Sequence, residues 1–188
     1  GYAHPSELLL MYPVLGVVCG LIAALYVRTY FGVGDLQKKI PVPPSLIPWI
    51  GGATVGILVF VSGGRMVGYG HLAMHSDVFG HMAWYGLLAL AVGKIVATSI
   101  PLNMGGSGGV FTPSLYIGAA TGGAFGVALS GALPAMGLHP EAYALVGMGA
   151  LIAGATDAPI TGILLVFEMT NDYAIVLPLM LTVVITHT

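Results

Sequence analysis

Uncharged apolar runs follow one another along most of the chain. The run 8–27 carries no charge, and its 20 residues are long enough to cross about 30 Å of hydrocarbon. A second uncharged run covers 45–64, and a third covers 82–101 with Lys94 as its only charged residue. These runs predict three membrane-crossing helices.

Charged, proline-rich and glycine-rich positions predict the connections between these helices. Positions 28–44 hold three of the five basic residues and three prolines, so we expect the main loop there. Cytoplasmic loops of membrane proteins carry an excess of Lys and Arg, which favours the cytoplasmic side for this loop. Positions 63–80 are rich in Gly and His and predict a second connection.

The longest uncharged stretch, 95–140, cannot be a single helix. Its 46 residues would extend about 69 Å at 1.5 Å per residue, roughly twice the thickness of the hydrocarbon core. The Asn-Met-Gly-Gly-Ser-Gly-Gly segment at 103–109 is the expected break. A helix is expected to restart there, with Thr112 as its N-cap and Pro113 at its first helical position.

Three shorter apolar segments, 141–155, 158–168 and 173–186, complete the pattern. The last two have 11 and 14 residues, fewer than a full crossing needs. Asp157 is expected to be the N-cap of the second segment and Asp172 the cap of the third. The pattern therefore predicts an all-α, polytopic integral membrane protein with tilted, half-spanning and broken helices.

The composition excludes several classes of protein. Hydrophobic residues make up 57% of the chain and charged residues 6%, whereas a soluble domain carries about 25% charged residues. Seven acidic and five basic residues leave no basic surface for a nucleic-acid partner. No nucleophile–base arrangement suggests an enzyme.

The single Cys19 cannot form an internal disulfide. The aromatic residues Trp49, Trp84, Tyr2 and Tyr12 suit the membrane interfaces.

Glycines recur at the small-xxx-small spacing that lets helix backbones approach closely in lipid. The spacing occurs at Gly16 and Gly20, at Gly52 and Gly56, and at Gly118, Gly122 and Gly126. We expect these glycines to pack helices within the chain.

The glycine-rich break carries the candidate chemistry. Residues 105–113 place irregular backbone just before a helix N-terminus, inside an uncharged region. The first N–H groups of a helix lack intrahelical acceptors and carry a partial positive charge. Irregular backbone at membrane depth occurs only where it is buried in protein or lines a cavity. The segment thus favours an anion site without a basic side chain, weak enough to release a conducted ion; a plain helix breaker is the alternative.

Three motifs in the same order resemble those of the CLC chloride channels and proton-coupled chloride antiporters. Residues 108–113 (GGVFTP) resemble the family's GGxFxP motif. Residues 147–154 (GMGALIAG) with 158–162 (APITG) are similar to its GMGA…APxTG segment, and 168–173 (EMTNDY) resembles the continuation. The resemblance extends more weakly over nearly the whole chain.

The resemblance implies that 1–188 is one partial domain, the second half of a CLC membrane domain with helices J to Q. The backbone amides of Val110, Phe111 and Thr112 would then bind chloride, and the scaffold of the motif would be Gly108, Gly109 and Pro113. The GSGIP and GxEGP motifs of the family's first half, and the pore tyrosine of its last helix, would lie outside this chain. The chain would carry about half an anion pathway and would not transport alone.

The function implied by the resemblance is chloride transport as part of a CLC-type channel or H⁺/Cl⁻ antiporter. Chloride, and protons in the antiporters, would be cargo, and no cofactor is expected. The protein would be a homodimer in the lipid bilayer of a plasma or inner membrane, with 158–168 and 173–186 contributing to the dimer interface. The sequence does not separate a channel from an antiporter.

A few ionisable residues suggest other roles. Lys94 would act on the pore electrostatically, or would snorkel or pair with a carboxylate. Glu168 would make a structural hydrogen bond or handle an ion or proton. His71 and His75 have the i, i+4 spacing of a metal site, although loop histidines at the interface are the favoured interpretation. The alternatives are therefore a non-transporting scaffold subunit and a metal-ion permease that uses these histidines.

Overall fold

All regular structure in the described part of the chain is helical. The computed structural model describes residues 11–39, 41–43, 45–61, 63, 82–134, 138–171 and 173–187. Its seven α-helices are α1 (Met11–Gln37), α2 (Ile47–Val61), α3 (Trp84–Asn103), α4 (Phe111–Ala132), α5 (Pro140–Thr156), α6 (Pro159–Thr170) and, after a 3₁₀ turn (Tyr173–Ile175), α7 (Val176–His187). By length and composition, α1, α3 and α4 could each cross a membrane, whereas α2, with 15 residues, is shorter than the crossing expected at 45–64. The all-helical membrane fold is confirmed.

Helix α1 is longer than the charge pattern predicts. The expected loop at 28–44 is wrong in its first part, because the helix continues to Gln37. The ion pair between Lys38 and Asp35, 3.0 Å long, is exposed at this end. Charged side chains are compatible with helical backbone, whereas a proline such as Pro41 cannot donate the next backbone hydrogen bond. The proline cluster, and not the first charge, therefore marks the end of α1.

Helix α5 forms the centre of the molecule. All of its residues from 142 to 153 are buried, and it packs against α1, α4, α6 and α7. A helix that is apolar on every face is buried on every face, and the sequence of α5 has no polar stripe that could face water.

Glycines on α4 allow the close crossing with α5. A Cβ on Gly126 would lie 2.7 Å from an α5 backbone atom, and Gly118 and Gly122 also face the α5 backbone. These contacts confirm the expected packing role. Gly52 and Gly56 differ, since a Cβ on either would meet no described atom within 4 Å.

The contact between α1 and α7 also depends on small residues. A Cβ on Gly16 would lie 2.9 Å from the carbonyl oxygen of Thr182, and one on Gly20 would lie 3.4 Å from that of Thr186. The Thr186 hydroxyl donates to the Gly16 carbonyl at 3.0 Å, and the Thr182 hydroxyl donates to the Tyr12 carbonyl at 3.3 Å. Interhelical bonds from threonine are a common way to join helices in lipid.

Two predicted side-chain roles are wrong. Asp157 is not an N-cap: it ends α5 in the left-handed region (φ 57°), and its carboxylate lies 2.8 Å from Nε2 of His187. The N-cap of α6 is Ala158, because the turn between the two helices is too short to leave Asp157 free for that role. Tyr12 is buried and stacks on Tyr143 with ring centroids 5.1 Å apart, instead of lying at an interface. The expected cap Asp172 lies outside the described residues.

Candidate anion-binding site

The predicted break between two helices is present. Helix α3 ends at Asn103, and the backbone of 104–110 is irregular up to the start of α4. The Asn103 side-chain amide donates to the Ser99 carbonyl at 2.8 Å and to the Tyr30 carbonyl at 2.9 Å. The second of these bonds links the end of α3 to α1 and so holds the start of the loop in position.

Two glycines that the motif does not include shape this loop. Gly105 has φ +90°, a conformation that side chains with a Cβ rarely adopt. The Gly106 N–H donates to the Pro101 carbonyl at 2.8 Å, and a Cβ on Gly106 would lie 2.8 Å from the same oxygen. Gly109 has open space around it. From the sequence, Gly108 and Gly109 were expected to be the glycines that shape the motif. A run of glycines does not reveal which of its members the turn requires.

Helix α4 begins two residues earlier than predicted. Its N-cap is Val110, so Thr112 is not the N-cap and Pro113 is not the first helical residue. The Ser114 hydroxyl donates to the Val110 carbonyl at 2.8 Å, and the Ser114 N–H donates to it at 3.1 Å. Because these bonds hold Val110 at the cap position, the helix can start without a capping side chain.

The start of α4 presents unpaired backbone donors. The N–H groups of Phe111 and Thr112 belong to the first turn and have no intrahelical acceptor, while Pro113 has no N–H. Phe111 is 46% exposed, and residues 105–109 are exposed on the surface of the described chain. Residues 104–113 contain no charged side chain. This arrangement can attract an anion through backbone dipoles alone.

The other candidate residues lie on other elements or outside the described part of the chain. Lys94 Nζ lies 5.0 Å from the ring centroid of Tyr116, which places this lysine against α4. Glu168 is exposed in the last turn of α6. His71 and His75 lie outside the described residues. Among the residues that the structure describes, there is no group of three or more His, Cys, Asp or Glu side chains suited to a metal ion. The roles suggested for these residues stay predictions.

A cavity of about 190 Å³, the Tyr26 cavity, lies beside the first turn of α4. Residues of α1, of the start of α4 and of the end of α5 line it, among them Tyr26, Tyr30, Val110, Ser114 and Thr156. Sequence reasoning missed this cavity, because its walls come from three helices that are far apart in the chain. Val110 belongs both to this lining and to the candidate anion site.

The sequence comparisons point to one family. Residues 2–188 match the family model described as voltage gated chloride channel. Chloride channel protein CLC-f of Arabidopsis thaliana is 37% identical, with 90% of this chain and 24% of that protein covered. A putative chloride channel protein, ClcB-like, of Ralstonia nicotianae is 36% identical, with 92% of this chain and 40% of that protein covered. The chain thus spans less than half the length of these relatives.

Solved structures agree with this assignment. A slow cyanobacterial Cl⁻/H⁺ antiporter matches 98% of this chain and 44% of its own, with a TM-score of 0.80 and 26% identity. A eukaryotic CLC transporter matches all of this chain and 33% of its own, with a TM-score of 0.75 and 23% identity. A CLC-type fluoride/proton antiporter matches all of this chain and 45% of its own, with a TM-score of 0.74 and 22% identity. Both share the fold of this chain. Because the family model covers nearly its whole length, this chain belongs to the CLC family of voltage-gated chloride channels and transporters.

Proposed function

We propose that this chain forms part of a chloride pathway in a CLC-type channel or H⁺/Cl⁻ antiporter. The anion would be held by the backbone amides of Val110, Phe111 and Thr112. The observation that carries the proposal is the irregular segment before α4, whose first amides lack intrahelical acceptors and face the surface of the chain. Chloride is the cargo of this pathway, and the proposal includes no cofactor.

Backbone donors suit a transported anion because they bind it weakly. A helix N-terminus carries about half a unit of positive charge, and no lysine or arginine lies within 104–113 to hold the ion more tightly. Conduction requires binding that is favourable enough for entry and weak enough for exit. The site is open on one side, and the chain spans 24% and 40% of its two relatives. Other parts of such a protein would close the pathway.

The exposed apolar side chains of α6 and α7 suit a partner subunit. Ile160 is 71% exposed, Leu164 58%, Leu177 58% and Val184 62%. We place these helices at the interface of a homodimer in a plasma or inner membrane. The interface would lie away from the start of α4, so each subunit would keep its own anion site.

Chloride efflux from liposomes tests this function. The full-length protein that contains this chain would be reconstituted into KCl-loaded liposomes, and efflux would be started with valinomycin. We expect efflux well above that of protein-free liposomes, and the pathway should distinguish Cl⁻ and Br⁻ from SO₄²⁻. External pH would be recorded at the same time. It changes if the protein is an antiporter, which exchanges protons for chloride, and stays constant if the protein is a channel.

Correct insertion is the control for this experiment. Protease accessibility of the reconstituted protein would establish that it spans the bilayer. An inserted protein that passes no chloride would contradict the transport function and favour the scaffold alternative.

A further inference from the structure

The side-chain amide of Asn103, the last residue of α3, lies against the backbone of α1. Its Nδ2 donates to the Tyr30 carbonyl at 2.9 Å and to the Ser99 carbonyl at 2.8 Å. An amide nitrogen carries two N–H groups, so both bonds can form at once. The bond to Ser99 stays within α3, whereas the bond to Tyr30 reaches a residue 73 positions away in the chain. This second bond therefore depends on how α1 and α3 pack.

Gly34 provides the space for the Asn103 side chain. Gly34 lies one turn after Tyr30 on α1, and a Cβ on it would lie 2.6 Å from Oδ1 of Asn103. This distance is shorter than a non-bonded contact allows, so a side chain at Gly34 would displace the Asn103 amide. The Tyr30 carbonyl has two lone pairs and can accept from Asn103 as well as from the next turn of α1.

The same turn of α1 lies close to both ends of the loop 104–110. The Tyr30 carbonyl binds Asn103 just before the loop. Tyr30 and Val110, the last residue of the loop, both line the Tyr26 cavity. Residues 105–109 between these two points are exposed. A change in the contact between Asn103 and α1 would therefore reach the start of α4 through the loop.

We infer that Asn103 is a positioning residue for the anion site, because its bond to α1 fixes the direction of the amide N–H groups at the start of α4. The inference rests on the proposed function, in which the amides of Val110, Phe111 and Thr112 hold chloride. Hydrogen bonds weaken steeply as their angle becomes less favourable. A loop released from α1 would bind the anion less tightly. Asn103 acts through these amides and does not touch the anion.

Gly34→Ala tests the inference because it should break this contact without harming the fold. The only described atoms within 4 Å of the new Cβ belong to the Asn103 side chain, which can move away, and alanine favours a helix more than glycine does. The unfolding temperature of the full-length protein should not fall. In KCl-loaded liposomes, the chloride concentration at half-maximal efflux should rise about 2- to 10-fold, the change expected for one lost hydrogen bond.

Gly32→Ala is the matched control on the same helix. A Cβ on Gly32 would meet no described atom within 4 Å, so this variant should keep the half-maximal chloride concentration of the wild type. Asn103→Ala removes the side-chain amide and should raise that concentration as Gly34→Ala does. In the double variant, Gly34→Ala should add nothing, because the group it displaces is already absent. Additive effects of the two substitutions would contradict the inference.

The half-maximal chloride concentration separates positioning from a merely structural role. A loss of folded protein lowers the maximal rate of efflux and leaves that concentration unchanged. If the wild type transports chloride and the concentration is unchanged in both Gly34→Ala and Asn103→Ala, the inference is overturned and the proposed pathway stands. A correctly inserted wild type that passes no chloride would overturn the pathway and, with it, the role of Asn103.

Discussion

Replacement of Gly122 by leucine is expected to prevent stable folding of the protein. A Cβ at this position would overlap the Tyr143 carbonyl oxygen and would lie 3.0 Å from Cα of Ala144. Both atoms belong to the backbone of α5, which is buried on all sides and cannot shift locally. We expect a loss of more than about 4 kcal/mol of stability, a size reached when buried packing is disrupted. Thermal unfolding and size-exclusion chromatography of the full-length protein in detergent would measure it.

Gly131→Leu is the control on the same helix. A Cβ on Gly131 would meet no described atom within 4 Å, so the same exchange of glycine for leucine should leave stability close to that of the wild type. Equal unfolding temperatures for the Gly122→Leu and Gly131→Leu variants would contradict the close approach of the α4 and α5 backbones at Gly122.

Val110→Pro is expected to lower chloride efflux about 10- to 100-fold, the effect of removing one hydrogen bond to a charged group. Proline removes the backbone N–H of this residue and nothing else that the proposed site uses. The φ of Val110 is −84°, close to the range of proline, so the start of α4 should survive. Efflux from KCl-loaded liposomes would be compared at equal amounts of inserted protein.

Val110→Ala tests whether the amide or the side chain matters. This variant keeps the N–H and shortens only the side chain, so its efflux should stay close to that of the wild type. An equal loss of efflux in the alanine and proline variants would show that the valine side chain, and not its amide, is required.

The positions of most helices could be predicted from the sequence. The expected helix at 82–101 corresponds to α3, and the expected segment 141–155 corresponds to α5. The break at 103–109 is also present between α3 and α4. These features follow from local properties, because a long uncharged run must form helix in lipid and a cluster of glycines interrupts it.

The ends of helices were predicted less well. The pattern ended α1 at the first charge, although the helix continues to Gln37. It also placed the N-cap at Thr112, two residues after the cap at Val110. A residue type that favours a cap does not decide where the cap lies, because the contacts around the first turn decide it.

The family, the helical class and the place where the chain breaks before α4 could all be inferred from the order of residues. The tertiary structure alone decided that Asp157 would pair with His187 instead of capping α6. It also brought Tyr26 beside Ser114 at the wall of one cavity. Hydrophobic runs and glycine clusters act on neighbouring residues, whereas a cavity or a contact between distant side chains forms only when helices that are far apart in the chain pack together.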